Sequence, residues 1–357
     1  MALVLVAMSG GVDSSVAAAL LAEAGHDVVG VTLKLWGGDS DTGCCSVSDV
    51  DDARRVADHL GIDHHVFNFG DDFATHVVGP YVADHVAGRT PNPCVECNRH
   101  LKFDRLIERA DMLGFEAVAT GHHARVVKAA DGTLRVGRGA DRGKDQSYVL
   151  HMLDQPTLAR VVLPVGPLRK PEVRARAAAL GLRNADKPDS QDVCFITSAR
   201  GRRSFLADRM TMTPGRVVDG HGRRVGAVEA VELVTIGQRR GLGLAGGGEP
   251  RFVVAADPRT ATVIVGSAED LLVGAQHVGP VTWADQPVSG LVEVQTSAHG
   301  SPRDAMIEAA DDDDPVGRTV VVRWLEPQRR VAPGQSVVFY DGDEVLGGGP
   351  AQPVAVN

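Results

Sequence analysis

No apolar run in this 357-residue sequence is long enough to cross a membrane. Met1 to Met8 is apolar, but it carries no basic leader or small-residue cleavage site and enters a glycine turn directly, which is not how a secretion signal is built. No solenoid-type period is visible. Cysteine is scarce and odd in number, five in all. In a long chain without an export signal this favours a reducing compartment, where thiols serve as reactive groups and not as staples, so a cytoplasmic location is expected. A cationic excess is also missing. The net charge of −9 argues against indiscriminate nucleic-acid binding, which needs a broad basic surface to displace counterions.

Local basic faces remain available. Arg99/Lys102/Arg105, Arg200/Arg202/Arg203, Arg223/Arg224, Arg239/Arg240 and Arg329/Arg330 are the clusters that could form one. With 43% hydrophobic and 23% charged residues the composition is that of a folded globular protein and not a disordered one, and the length favours two or three domains.

Leu3 to Met8 reads as a strand buried on both faces of a parallel sheet, followed by an Ala/Leu-rich helix from Val16 that Gly25 ends. The rhythm repeats: strand Val28 to Leu35, helix Asp49 to Leu60, strand His65 to Phe69, helix Asp72 to Ala87, helix His100 to Leu113, strand Ala117 to Thr120. Strands alternating with helices imply a doubly wound parallel sheet. A hairpin is expected around Asp131-Gly132, and a helix from Pro171 to Leu180. Beyond about Pro214, short Val-rich runs separated by Gly, Pro and Asp read as all-β, with a break near Gly274 to Pro280. The expected units are 1–205, an α/β domain, then 206–275 and 276–357, two small mainly-β domains. Asp311 to Asp314 reads as a solvated turn.

Between the first strand and helix lies Ser9-Gly10-Gly11-Val12-Asp13-Ser14-Ser15, preceded by Ala7-Met8. A strand feeding a glycine turn and then a helix directs backbone N–H groups and the positive helix end at one anion. Gly10 and Gly11 allow close approach, the serines can add donors, and Asp13 is placed to orient the loop or hold magnesium. The Walker A pattern and its lysine are absent here. The loop resembles the PP-loop of ATP pyrophosphatases, which implies ATP cleavage between the α and β phosphates.

Further motifs carry a more specific resemblance: Gly88-Arg89-Thr90-Pro91-Asn92-Pro93-Cys94-Val95-Glu96-Cys97-Asn98, Ala119-Thr120-Gly121-His122, Lys144-Asp145-Gln146-Ser147-Tyr148, Asp189 to Ile196, Gly237 to Gly243, Pro333-Gly334-Gln335-Ser336 and Leu346 to Gly349. Together they resemble the bacterial tRNA-specific 2-thiouridylases over nearly the whole chain. The resemblance implies ATP-dependent thiolation of a wobble uridine, with tRNA and a sulfur-donor protein, a persulfide relay or cysteine desulfurase, as partners and no membrane. It implies Cys97 as nucleophile and Cys194 as persulfide carrier. Leu33 and Gly121 would join residues 7–15 in binding ATP. Asn92, Pro93, Cys94, His122, Lys144, Asp145, Gln146 and Gln335 would contact tRNA.

Adenylation of the uracil C2 oxygen makes that oxygen a leaving group, and a sulfur nucleophile can then attack C2. Both thiols fall in Pro-, Asn-, Ser- and Asp-rich segments that read as loops. Cys94-x-x-Cys97 with Cys194 could in principle hold an iron–sulfur cluster, which is not favoured because four ligands are not evident. Cys44-Cys45 read as incidental. One departure is Gln295 to His299, where some relatives carry an Arg-Tyr pair. The competing expectations are another PP-loop adenylating enzyme, lysidine synthase-like or amide-forming, and a non-catalytic nucleotide- and RNA-binding module.

Overall fold

The computed structural model describes residues 1–35, 47–189, 193–196, 201–245, 248–310 and 318–353. Cys44, Cys45, residues 190–192 and the acidic run 311–314 lie outside the described residues. The first seven strands are β1 (Leu3–Ala7), β2 (Asp27–Lys34), β3 (Asp63–Asn68), β4 (Ala117–Ala119), β5 (Ala124–Lys128), β6 (Leu134–Arg138) and β7 (Val161–Val162). Five of them form one all-parallel sheet in the order β3-β2-β1-β4-β7.

The period of two explains its two cores. Val4 and Val6 of β1 pack with Val16 and Ala17 of helix α1 (Val12–Glu23) and with Val173 and Ala177 of helix Lys170–Ala179. Leu5, between them, points to the opposite face and joins Phe73, Val77, Leu101 and Leu106. Helix α2 (Val47–Leu60) covers the first face, and the helical stretches 70–86 and 93–112 cover the second. The doubly wound α/β expectation is met.

One boundary differs in a way that matters for chemistry. The helix expected from His100 begins at Pro93, because Asn92 Oδ1 accepts the Cys94 N–H (3.2 Å) and Pro93 takes the first-turn position where its missing donor costs nothing. Cys97 therefore sits in a helix, at the start of a π-helical stretch Cys97–Arg105, and not in the loop the sequence suggested. Such wide turns recur at functional sites.

The expected hairpin forms as β5 and β6, but it does not stay within the first unit. Gly137 of β6 pairs with Glu344, so the hairpin extends a nine-stranded sheet built by the C-terminal strands. Strand Leu272–Val278 of that sheet runs across the expected 275/276 break. A separate four-stranded sheet, Phe252–Asp257, Thr262–Gly266, Gly215–Val218 and Arg224–Val228, forms the middle unit. Among the described residues no helix is long and apolar enough to cross a membrane.

Candidate active site

The strand order turns back between β1 and β4, and in open α/β sheets ligands bind outside the carboxyl ends of the strands at such a switch point. The glycine loop follows β1 and Gly121 follows β4. Gly10 has φ +72°, and a Cβ there would sit 2.3 Å from the Asp49 carbonyl oxygen. A Cβ on Gly121 would lie 2.5 Å from Ser14 N. Backbone packs against backbone at both points, which fixes the loop's shape.

Helix α1 starts at Gly11 with no side-chain cap, so its first N–H groups face outward without helical acceptors. The Ser14 hydroxyl donates to Gly11 O (3.1 Å) and accepts from Ser9 N–H (3.2 Å), while the Ser15 hydroxyl also donates to Gly11 O (2.9 Å). Asn184 Nδ2 donates to Gly10 O (3.1 Å) and to Ser15 Oγ (2.8 Å), bracing the loop from behind. Lys187 reaches Gly10 O (3.2 Å) and pairs with Asp49 and Asp52, both at 2.7 Å.

A chain of ion pairs crosses the floor. Lys170 Nζ holds both Asp13 oxygens (2.7 and 2.6 Å) and Asp189 (2.8 Å), and Asp189 also receives Lys144 (2.7 Å) and Arg174 (2.8 Å). His123 Nε2 lies 3.0 Å from Asp13. Burial alone would raise the Asp13 pKa, but hydrogen bonds from His123 and Lys170 outweigh it and hold the carboxyl below the usual range. The same opposition, with Lys144 and Lys170 as donors, holds Asp189 well below it.

Asp13 thus orients the loop through a lysine. Both its oxygens are taken by the Lys170 ammonium, so the arrangement does not fit Asp13 as a magnesium ligand. Among the described residues no group of three or more His, Cys, Asp or Glu side chains could hold a metal ion, Cys94, Cys97 and Cys194 included.

A cavity of about 570 Å³ opens above this floor. Ala7, Met8, Ser9, Gly11, Val12, Asp13 and Ser14 line one side, with Leu33 and Gly121 beside them. Cys97 and Cys194 line the same cavity, with Pro93 and Cys94. His122, Lys144, Asp145 and Gln146 also reach it. Gly10, Ser15, Asn92 and Gln335 do not: the first two shape the loop from within, and Asn92 caps the Cys97 helix. Gln335 Nε2 donates to Thr90 O (2.6 Å) and Thr90 N–H donates to Pro333 O (2.7 Å), clamping the segment before that helix onto the C-terminal sheet domain.

Both thiols hang on the same apolar cluster. Cys97 is buried in it beside Leu101 and Phe73. Phe195, next to Cys194, packs edge-on against Phe73 (5.4 Å), Tyr81 (5.6 Å) and Phe205 (5.2 Å between ring centres). Between the anchor and Asp189, Val193 sits at φ 54°, the left-handed region that a β-branched residue disfavours.

Burial drives His122 to an uncharged imidazole, and Thr120 Oγ1 lies 2.7 Å from its Nδ1. It can offer a hydrogen bond but no positive charge. Asp145 turns inward to Arg138 (3.1 Å) and the Gly139 N–H (2.8 Å), and Gln146 Oε1 accepts the His123 N–H (2.8 Å). Reading the sequence had missed His123, Lys170, Asn184 and Lys187. The signals for them were the position of His123 directly after His122, just beyond the end of β4, and polar density around Pro171 and between Gly181 and Asp189.

The parallel sheet with its Ser-Gly-Gly-x-Asp-Ser turn at the switch point, followed by two β units, defines a PP-loop α/β protein with β-barrel appendages. Family profiles agree along the chain: a tRNA methyl transferase HUP domain over residues 2–198, a tRNA methyl transferase PRC-barrel domain over 203–267 and an aminomethyltransferase beta-barrel domain over 277–351. The tRNA-specific 2-thiouridylase MnmA of Chloroflexus aurantiacus is 47% identical over 98% of both chains, and that of Acidothermus cellulolyticus 46% identical over 96% of both. The chain belongs to the tRNA-specific 2-thiouridylase family. Among solved structures, the U34-tRNA thiolase NcsA from Methanococcus maripaludis with its [4Fe-4S] cluster aligns at 18% identity over 58% of this chain and 63% of that one, with a TM-score of 0.37. That likeness is too distant to bear on the chemistry.

Proposed function

We propose that the chain, a tRNA-uridine 2-sulfurtransferase by family, works in the cytoplasm by adenylating the C2 oxygen of the wobble uridine and replacing that oxygen with sulfur carried on a cysteine. The observation that carries the reading is that the glycine loop, Cys97 and Cys194 border one cavity. ATP lies with its pyrophosphate on the N–H groups at the start of α1 and its adenine toward Leu33. Uridine O2 attacks the α phosphorus and pyrophosphate leaves. A base drawn out of its stack enters past Pro93 and Cys94, which line the cavity, while Asn92 caps the helix that carries them.

Cys194 receives a sulfur from a donor protein as a persulfide. Its outer sulfur attacks C2, AMP departs with the former C2 oxygen, and the Cys97 thiolate attacks the inner sulfur. The sulfur–sulfur bond breaks, sulfur stays on C2 and a Cys97–Cys194 disulfide forms, which an outside thiol must reduce. Two thiols and a bound ATP suffice, and no step runs through a metal cluster or through magnesium held by the chain. The other PP-loop reactions, which pass the adenylate to an amine, have no use for two cysteines at the mouth.

The test is mass spectrometry of digested tRNA after incubation with ATP, magnesium, a persulfide donor and the protein. The expected product is 2-thiouridine at the wobble position, absent with Cys97→Ser or Cys194→Ser. Unmodified uridine from folded protein that binds ATP would overturn the reading, and full product from either variant would overturn the two-thiol chemistry.

A further inference from the structure

Away from the active site, the C-terminal sheet holds a second cavity of about 360 Å³. It owes its existence to a bulge. Strand Leu272–Val278 pairs with Val320–Arg329, but between the pairs Val273↔Gln328 and Ala275↔Arg323 a single Gly274 faces the four residues Trp324 to Pro327. These extra residues leave the pairing with Leu272–Val278, while Trp324 stays paired with Ala305 on the other side, and Trp324 and Pro327 form one wall, the usual way a bulge re-aims side chains.

The lining is rich in hydrogen-bond donors and contains no carboxylate. Arg303 and Arg329 border the cavity, both exposed, and neither pairs with a carboxylate among the described residues; the Arg329 guanidinium lies 5.9 Å from the centre of the Phe252 ring, a contact that uses none of its N–H donors. In a chain with 46 acidic and 37 basic residues, two such guanidiniums at one opening are cations kept available. Trp324, 7% exposed, also lines it, and its indole N–H is buried without an acceptor. A buried donor left unmet is costly, so it is a vacancy for an acceptor brought from outside. Thr296 adds a hydroxyl, and Val294 and Pro327 supply apolar wall.

Continuity with the active site points to the occupant. Thr296 and Arg303 face this cavity, while Ala298 and His299, from the loop between them, face the catalytic one. We propose that this second cavity seats a backbone phosphate, with its sugar, of the RNA strand whose uridine enters the active site. Arg303 and Arg329 take the phosphate oxygens, and the Trp324 N–H offers an oxygen acceptor its bond. The inference rests on the tRNA reading above and adds an anchor on the far side of the 296–303 loop. It gives an acidic protein a local hold on RNA: two arginines with no carboxylate partner among the described residues do what net charge cannot.

The experiment measures unmodified tRNA binding by fluorescence anisotropy across a salt series, together with thiolation kinetics. Arg303→Gln/Arg329→Gln is expected to weaken tRNA binding about tenfold and flatten the slope of log affinity against log salt by about 1.5, as two lost phosphate contacts do. KM for tRNA rises, while kcat at saturating tRNA and ATP affinity stay as in the unaltered protein. Trp324→Phe, which keeps the ring and removes only the N–H, weakens binding about threefold. Arg323→Gln, on the same strand but paired with Glu308 outside the cavity, leaves binding unchanged. Both target arginines are exposed, and an unaltered melting curve verifies folding. Equal affinity and salt slope in the double variant overturn the anchor, as does a matching loss in Arg323→Gln, which would mean general charge only. An unaltered protein that binds tRNA through these arginines yet makes no 2-thiouridine overturns the proposed function and leaves the anchor standing.

Discussion

The two sides of the catalytic cavity are built by different means. The phosphate side is backbone: a turn after β1 whose Gly10 packs against the Asp49 carbonyl and whose neighbour Gly121 leaves no room for a methyl group. The sulfur side is side chains: Cys194 lies between an aromatic anchor at Phe195 and an ion-paired Asp189, across a left-handed Val193. Backbone sites are preorganised by sequence-local geometry, whereas side-chain tethers can be let go one at a time. The proposed reaction, which grips ATP and moves sulfur from one thiol to another, has use for both.

Four changes would sharpen or break that contrast. Phe195→Ala empties the aromatic cluster and is expected to cost about 3–5 kcal/mol of stability in urea unfolding. It should abolish thiolation while ATP still binds the surviving folded fraction, and an equal loss of ATP binding would show that the two sides are one unit. Lys170→Met leaves Asp13 to His123 and Asp189 to Lys144 and Arg174, and should cost about 2–3 kcal/mol, less than breaking a fully buried pair because both carboxyls keep other partners.

Here the pH dependence has a definite sign. Both carboxyls have folded-state pKa values below the ordinary Asp value of about 4. Their contribution to stability is therefore fully present above about pH 4 and is lost as pH falls through the depressed values. The gap in unfolding free energy between the unaltered protein and Lys170→Met should be the same at pH 7 and pH 5 and should shrink by pH 3. A gap that persists at pH 3 would assign the effect to lost packing instead.

Gly121→Ala pushes a methyl group against Ser14 N and should cost about 1–3 kcal/mol, with ATP affinity in calorimetry falling at least tenfold. Normal ATP binding would mean the loop is softer than its packing implies. Val193→Gly is the smallest. Relief of the left-handed strain and the added chain entropy nearly cancel, so the melting midpoint should move by less than about 1 kcal/mol equivalent in either direction. A drop well beyond that would show that the valine side chain, and not its backbone, holds the Cys194 segment.

Much of this was legible in the primary structure because it is local. β1, the glycine turn and α1 follow one another without interruption, so the phosphate site could be read from about 20 residues by pattern alone. The alternation of strands and helices gave the sheet, since each period reports which faces are buried. Cys97 was read as a loop residue because Pro and Asn around it look like a turn. In fact they start a helix, and that distinction depends on whether Asn92 caps Cys94, which composition does not reveal.

The sequence by itself determined the loop, the motifs in which Cys97 and Cys194 stand and the α/β-then-β order. Only the tertiary structure decided that Lys170 would bridge Asp13 and Asp189, that the β5–β6 hairpin would join the C-terminal sheet, and that residues 97 and 194 would meet the loop across one cavity. The reason is physical. Short-range hydrogen bonding and side-chain periodicity are written residue by residue, but ion pairs and shared cavities form between segments separated by up to about 200 positions. Their partners are chosen by packing, which no local pattern encodes.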